Sequence, residues 1–203
     1  MFPQLFQHYY FHLISALLGA YLLGSISSAV IICWIFRLPD PRKQGSGNPG
    51  TTNVLRVGGK FPAALTLLAD SAKGFIPVFI AKIFFTDPLI ISGVLLAAVI
   101  GHMFPIFFGF KGGKGVATSV GGFWSLSIIL GGIFTAVWLL VFAISRYSSL
   151  SSLIAIASMP IAAGILINPR YAIILSILFF LVLWRHKSNL QRLIKGTETK
   201  STF

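Results

Sequence analysis

Long apolar stretches separated by short polar ones dominate the hydropathy pattern of this chain. Several of the apolar stretches approach or exceed the roughly 20 residues that a helix needs to cross a bilayer. The predicted spanning helices are Phe11–Phe36, Phe61–Phe85, Pro88–Phe108, Leu150–Ile167 and Tyr171–Trp184. We therefore predict an all-α, polytopic integral membrane helical bundle that forms a single domain over residues 1–203.

The apolar stretch Val116–Ser145 allows two interpretations. At about 1.5 Å per residue it is too long for one upright span and short for two. A single crossing would put Arg146 and the basic C-terminal segment on the membrane side opposite to the other polar segments. We favour a break at Gly131–Gly132 into two short or tilted helices, because it keeps every polar segment on one side. The predicted total is then about seven transmembrane helices.

Composition and charge indicate a membrane protein with anionic partners. Hydrophobic residues make up 56% of the chain and charged residues 10%, with a mean hydropathy of +0.88, far from soluble globular averages. Sixteen Lys and Arg against four Asp and Glu give a net charge of +12. By the positive-inside rule, Arg37, Arg42 and Lys43 predict an N-terminus outside and a cytoplasmic C-terminus. The membrane orientation of the protein could by itself account for the Lys and Arg residues, but it does not account for the glycines and asparagines among them.

Three polar segments carry the candidate chemistry: residues 40–56, 101–118 and 185–198. Glycine lets backbone N–H groups approach an oxyanion, and Lys, Arg, Ser, Thr and Asn supply charges and donors for phosphate oxygens. Each segment also has a simpler interpretation, as a tight turn, a positive-inside anchor or a charged tail beside lipid headgroups. The candidate ligands are Gly45, Ser46, Gly47, Asn48, Thr52, Asn53 and Arg56, then His102, Lys111, Gly112, Gly113 and Lys114, and finally His186, Asn189, Arg192 and Glu198.

Two features near these segments have competing interpretations. Asp70 and Lys73 lie three residues apart within the second span, where unpaired charges are costly, so we predict an ion pair that supports the site. His102 stands near the end of a span and is as consistent with a hydrogen-bonded packing residue as with a catalytic one. The stretch Lys111–Gly115 is not a Walker A sequence, because Gly115 stands where a magnesium-binding Ser or Thr is needed.

Several kinds of catalytic machinery have no counterpart in the sequence. None of the four histidines is followed five residues later by Asp, no Gly-x-Ser-x-Gly elbow occurs, and Cys33 is the single cysteine. We predict no metal and no cofactor. Without a persuasive nucleophile or paired carboxylates, the chain suits a reaction whose donor is already activated, where positioning and charge supply the acceleration.

The three segments together resemble the bacterial membrane acyl-phosphate:glycerol-3-phosphate acyltransferases, the PlsY family. The resemblance rests on Gly45-Ser46-Gly47-Asn48 with Thr52, Asn53 and Arg56, on Gly101-His102 with Phe104-Pro105 and Lys111–Thr118, and on Arg185-His186 with Asn189, Arg192-Leu193, Gly196 and Glu198. Thr51 and Leu190 depart from the Ala and Ile usual in the family, and both keep approximate size.

This resemblance implies transfer of a fatty acyl group from acyl phosphate to the 1-hydroxyl of glycerol 3-phosphate, which gives lysophosphatidic acid for phospholipid biosynthesis. Neither acyl-CoA nor acyl carrier protein would be the direct donor. No protein nucleophile would be used, and the phosphate of the acceptor would take the hydroxyl proton. The protein would be a multi-pass transmembrane acyltransferase of the bacterial inner membrane with a cytoplasmic active site. We expect membrane lipid as a partner, no nucleic acid, and a monomer.

The resemblance also implies roles for individual residues. Lys114 and Arg56 would hold phosphate charge, and Ser46 with the loop amides would orient the acyl phosphate. His186 and Asn189 would position glycerol 3-phosphate. These five are the catalytic candidates. Further candidates are Glu198, which would order the bases of the tail, and two substrate-binding serines from a stretch that resembles the family, Ser149 and Ser152.

An organic-phosphate transporter or channel is the alternative function. It would also need a basic vestibule, but it predicts paired discontinuous helices and polar residues deep in several spans. The midspan charges here are chiefly Asp70 and Lys73, and the polar residues gather at one face. That distribution favours chemistry on a lipid-tailed substrate.

Overall fold

The structure is a computed structural model that describes residues 2–201, with the side chains of residues 7–201. Its regular elements within this range are all helices, as predicted. They are α1 Phe2–Gly24, α2 Ser28–Ile35, α3 Thr51–Gly58, α4 Lys60–Phe84, α5 Pro88–Met103, α6 Val116–Leu126, α7 Ile128–Ser145, α8 Ser148–Leu166, α9 Pro169–Arg185 and α10 Lys187–Ile194, with a 3-10 turn at Ile106–Phe108. Met1 and residues 202–203 of the predicted domain lie outside the described residues.

Several of the described helices can cross a membrane. Five segments are long and apolar enough: Gln7–Ile35, Lys60–Phe84, Pro88–Phe108, Ile128–Ser145 and Ser148–Leu166. A sixth is reached if α9 and α10, which meet at a bend of 62°, form one broken span. An all-helical polytopic membrane protein is therefore confirmed, while seven crossings and the orientation of the termini stay predictions.

The break predicted at Gly131–Gly132 was wrong in position, because the chain breaks at Ser127 between α6 and α7. Ser127 is extended, with φ −160° and ψ 135°, and its Oγ accepts a hydrogen bond from the N–H of Ile129 at 3.2 Å, as an N-cap does. Lys82 Nζ donates to the carbonyl of Ser125 at 2.8 Å, which satisfies the end of α6. Gly131 lies within α7, and its glycine makes room for Trp124, because a Cβ there would lie 2.4 Å from the ring of Trp124.

A second break divides the predicted first span at residues 25–27, between α1 and α2. Interrupting a helix inside the bundle leaves a backbone carbonyl without its intrahelical partner. Here Lys73 Nζ donates to the carbonyl of Ile26 at 2.6 Å. The same Nζ lies 2.5 Å from Asp70 Oδ1, so the predicted ion pair is present and joins α4 to the break.

Glycines allow α4 and α6 to pack with their backbones close together. A Cβ at Gly74 would lie 1.9 Å from the carbonyl oxygen of Thr118, and one at Gly121 would lie 1.8 Å from that of Ser71. Small residues play this part where helices associate in membranes. The contact holds the N-terminus of α6 beside the middle of α4, and it thereby places the second polar segment next to Asp70.

Candidate active site

Residues from all three polar segments meet around one cavity of about 750 Å³. It lies between α3, α4, α6, α7, α8 and the C-terminal tail. The predicted site residues that line it are Gly45, Ser46, Asn48, Thr52, Asn53, Arg56, His102, Lys114, Ser149, Ser152, His186, Asn189, Arg192 and Glu198. Three others, Gly47, Lys111 and Gly112, line an adjoining groove of about 540 Å³ that also contains Arg42 and Lys187. Gly113 lines neither and packs against His102.

Three helix N-termini point into the main cavity. The lining includes Gly50 at the start of α3, Gly115 at the start of α6 and Ser148 at the start of α8. Within the described residues no side chain caps any of these three ends. Free N–H groups and the positive end of the helix dipole make such an end an anion site. Three of them around one cavity can hold more than one phosphate group.

The first loop, residues 37–50, is held in place by hydrogen bonds from one buried side chain, that of Asn53. Asn53 is 1% exposed, and its Oδ1 accepts a hydrogen bond from the N–H of Ser46 at 2.9 Å. Its Nδ2 donates to the carbonyls of Pro41 at 2.8 Å and Gln44 at 3.0 Å. Gly45 has φ +61°, which favours glycine, and a Cβ there would lie 2.2 Å from Asn53 Oδ1. Asn53 therefore shapes the loop and leaves the exposed Ser46 hydroxyl to the cavity.

The second loop, residues 109–115, is held by Arg185 from the end of α9. Its Nη2 donates to the carbonyls of Gly112 at 2.7 Å and Gly113 at 2.9 Å, and its Nε donates to Gly113 at 3.1 Å. The guanidinium carbon also lies 5.5 Å from the ring centroid of Phe104. A Cβ at Gly113 would come within 2.1 Å of His102 Nε2, so the loop is clamped between Arg185 and His102.

Lys114, at the end of the second loop, belongs to a polar network with the third segment. Its Nζ donates to Asn189 Oδ1. Asn189 Nδ2 donates to Glu198 Oε1 at 2.6 Å, and Arg192 Nε donates to Glu198 Oε2 at 2.6 Å. Ser149 Oγ completes the network by donating to Glu198 Oε1 at 2.7 Å. The single carboxylate thus fixes Asn189 and Arg192, and through Asn189 it fixes Lys114.

Two pKa values follow from this network. Burial lowers the pKa of Lys114 to about 8. The negative charge of Glu198 opposes this shift, and the positive charges of Arg192, Arg185 and Arg56 add to it. Burial raises the pKa of Glu198, but hydrogen bonds from Ser149, Asn189 and Arg192 lower it more, so the net shift is downward. At neutral pH the cavity therefore contains a protonated Lys114 beside an ionised Glu198.

Arg56 and His186 occupy opposite environments in the cavity. Arg56 is exposed, and within residues 7–201 its guanidinium makes no side-chain hydrogen bond or ion pair, so its donors are available to an anion. His186 is 2% exposed, and its Nδ1 lies 2.8 Å from the carbonyl of Val182. Because a carbonyl only accepts, Nδ1 carries a proton and Nε2 is the nitrogen left for a ligand.

Comparison with known proteins identifies the family of this chain. A family described as "Glycerol-3-phosphate acyltransferase" matches residues 14–196. The chain belongs to this family.

Sequence relatives agree with this membership. The glycerol-3-phosphate acyltransferase of Francisella tularensis subsp. novicida is 54% identical over 186 residues, covering 92% of this chain and 91% of the relative. The protein of the same name in Francisella philomiragia is 52% identical over 186 residues, with the same coverage. The predicted resemblance to the PlsY family and the predicted acyltransferase class are confirmed.

Solved structures of this family have the same fold. The glycerol 3-phosphate form of PlsY (YgiH), an integral membrane glycerol 3-phosphate acyltransferase, superposes with a TM-score of 0.90 at 38% identity, covering 94% of this chain and 96% of that chain. The lysophosphatidic acid form gives 0.86 at 37% identity with the same coverage.

The main cavity also contains residues that the sequence analysis missed. Trp138 lines it, and its Nε1 donates to Ser152 Oγ at 3.1 Å. The tail residues Thr199 and Ser201 line it too, because the N–H of Ser201 donates to the carbonyl of Arg146 at 2.9 Å. Trp138 lies in an apolar run with no local polar signal. The excess of Ser and Thr in the tail was the one available hint.

Asp70 and His102 form the floor of the polar part of the cavity. His102 is 8% exposed, and its Nδ1 lies 3.6 Å from Asp70 Oδ1, which also pairs with Lys73. His102 therefore packs against the second loop and lines the cavity, while a catalytic role for it stays a prediction. Within residues 7–201, no group of three or more His, Cys, Asp or Glu side chains is arranged to hold a metal.

Proposed function

We propose that this protein transfers the acyl group of an acyl phosphate to the 1-hydroxyl of glycerol 3-phosphate, giving lysophosphatidic acid and inorganic phosphate. The observation that carries the proposal is the cavity itself. Three uncapped helix N-termini, Arg56 and Lys114 surround its polar end, and the same cavity continues into an apolar half lined by Val120 and Phe134. A lipid-tailed anion and a second phosphate compound match these two halves.

The transfer is a direct displacement. The acceptor hydroxyl oxygen attacks the acyl carbonyl carbon, a C–O ester bond forms, and the C–O bond to the donor phosphate breaks. Phosphate leaves with the bonding electron pair, and the phosphate of glycerol 3-phosphate takes the hydroxyl proton. Because acyl phosphate is already activated, the protein accelerates the step by positioning and by stabilising charge.

The donor phosphate is assigned to the first loop. Ser46 and the amides at the start of α3 orient it, and Arg56 neutralises its charge as it leaves. What supports this assignment is the exposure of Ser46 and Arg56 on the cavity side of a loop that Asn53 holds in place. Ser46 serves as a donor rather than a nucleophile, since its hydroxyl has no hydrogen-bonded base among the described residues.

Glycerol 3-phosphate is assigned to the second and third polar segments. Lys114 and Arg192 offer positive charge, and His186 and Asn189 offer hydrogen bonds to the glycerol hydroxyls. The support is their meeting around Glu198, which orders these donors before any substrate arrives. The preorganised network lowers the entropy lost when the acceptor binds.

The setting proposed for the reaction is the cytoplasmic face of the bacterial inner membrane. Residues 1–203 would act as one domain and as a monomer, with seven crossings contributed by α1 with α2, α4, α5, α6, α7, α8 and α9. The N-terminus would be outside and the C-terminus in the cytoplasm. The clustering of the three basic segments at one end of the bundle supports this topology.

An acyl-transfer assay on purified, detergent-solubilised protein tests the proposal. Palmitoyl phosphate and palmitoyl-CoA are offered separately with glycerol 3-phosphate, beside a Ser46→Ala variant. We expect lysophosphatidic acid from palmitoyl phosphate only, and its loss in the variant. No product from folded protein with either donor would exclude the enzyme function, and flux of organic phosphates into liposomes would then be measured.

A further inference from the structure

The cavity has an apolar inner half that continues from the phosphate end. Val116, Val120, Phe134 and Trp138 line it. Trp138 joins the polar and apolar linings, because its indole donates to Ser152 and its ring stacks on Phe142 at 4.9 Å between centroids. Apart from Thr135, the side chains that an acyl group would meet on α6 and α7 here are apolar.

The inner end of this half is closed by two aromatic rings. Along α6, Val116 and Val120 line the cavity, while Phe123, one turn deeper, does not. The Phe123 ring lies 5.6 Å from the ring of Phe134, and the two side chains are 0% and 2% exposed. No residue of α6 after Val120 and none of α7 before Phe134 lines the cavity, and Leu130 of α7 is fully buried in the core. The groove therefore ends at the Phe123–Phe134 pair.

The length of the apolar half is limited. At about 1.5 Å per residue, Val116 and Phe123 are about 10 Å apart along α6. A groove of that length accommodates an extended chain of medium length. The side of the groove is more open, because Leu67 of α4 and Leu139 of α7 line it and are 44% and 56% exposed.

We propose that the Phe123–Phe134 pair is the end-stop of the acyl site and sets the chain length above which the rate falls. This inference rests on the proposed function. A chain longer than the groove must displace two close-packed rings or turn out past Leu67 and Leu139 into lipid. A shorter chain leaves apolar surface unfilled. Misfit of one methylene in such a pocket changes the rate by about tenfold or more.

Two variants change the end of the groove in opposite directions. Phe134→Ala removes one ring of the stop, and Val120→Phe adds a ring one turn closer to the phosphate end. For each purified protein, kcat/KM is measured with saturated acyl phosphates from octanoyl to stearoyl in one detergent. Leu140→Ala is the matched control, because Leu140 lies on the same helix, is 62% exposed and is outside the cavity lining.

We expect Phe134→Ala to raise kcat/KM for stearoyl relative to dodecanoyl phosphate about tenfold, and Val120→Phe to lower the same ratio. The KM for glycerol 3-phosphate should change in neither. Identical length profiles in the wild type and both variants would overturn the inference, as would a wild-type rate independent of chain length. If Phe134→Ala does not fold, the direction of the Val120→Phe shift decides. A wild type inactive with every acyl phosphate would instead remove the proposed function itself, and the end-stop with it.

Discussion

The two glycine-rich loops around the cavity look alike in sequence but are held in different ways. In the first loop, Asn53 comes from the helix that directly follows, and its amide satisfies three backbone groups of the loop. In the second loop, Arg185 arrives from α9 and donates to two backbone carbonyls, 72 and 73 residues away in the chain. One loop is thus shaped locally and the other by tertiary contact.

Because the two loops are held differently, we expect the loss of Asn53 and the loss of Arg185 to have different effects. Without Asn53 the first loop loses a buried partner for every group it holds, so both folding and the placement of Ser46 suffer. Without Arg185 the second loop still packs against His102 and still leads into α6. The second loop should therefore tolerate loss of its anchor better than the first.

The largest expected effect belongs to the charge that the second loop supplies. Lys114→Ala should lower kcat/KM by about 10² to 10³, because the bound acceptor loses a preorganised positive charge in the transition state. Lys111→Ala, in the same loop but on the adjoining groove, should cost clearly less. Steady-state kinetics on both variants measures this. Equal losses at the two lysines would mean that the loop acts through its total charge rather than through Lys114.

Removal of the local anchor comes next. Asn53→Ala leaves the Ser46 N–H and the carbonyls of Pro41 and Gln44 without their partner, at a cost of about 1 to 3 kcal/mol for a buried unsatisfied group. We expect a lower unfolding temperature in detergent and kcat/KM reduced about tenfold or more. Asn168→Ala is the control: Asn168 caps α9 at 2.9 Å to the N–H of Arg170, remote from the site. Asn168→Ala should lower the stability of the protein without changing kcat/KM. Full activity in Asn53→Ala would contradict the anchoring role of Asn53.

The pH dependence should be intermediate in size. The pKa of Lys114 is lowered to about 8, so the side chain is charged below pH 8 and loses its charge as the pH rises through that value. One pH unit above a pKa only about a tenth of a base remains protonated, and kcat/KM at pH 9 should fall about tenfold. Arg stays charged in this range, so Lys114→Arg should remove the decline. A decline that persists in Lys114→Arg would assign it to another group.

The smallest effect is expected at the remote anchor. Arg185→Lys keeps the charge but loses the planar fork that reaches two carbonyls at once, so kcat/KM should fall only a few-fold, with little change in stability. Arg170→Lys, at an arginine whose side chain is 62% exposed and distant from the cavity, should change neither quantity. If Arg185→Lys lost more kcat/KM than Asn53→Ala, the second loop would depend on its anchor more than the first, contrary to our expectation.

Much of the site was accessible from sequence because its chemistry is local. Glycine with Lys or Asn in a short segment predicts a phosphate loop wherever the segment ends up, and fourteen of the predicted residues line the cavity together. The position of the break in Val116–Ser145 was not accessible, because Gly131–Gly132 is the stronger local signal. The break lies instead at Ser127, whose hydroxyl caps α7, and Lys82 from α4 satisfies the end of α6.

The sequence by itself determined an all-helical membrane protein with three polar segments rich in glycine and basic residues, since hydropathy and the identity of polar residues need no knowledge of contacts. The tertiary structure alone decided which segment holds which. The bond of Lys114 to Asn189 and the clamp of Arg185 on the second loop join residues distant in the chain, and the contact of Phe123 with Phe134 joins two helices. Such pairings depend on helix packing through glycines such as Gly74 and Gly121, where tenths of an ångström between backbones matter.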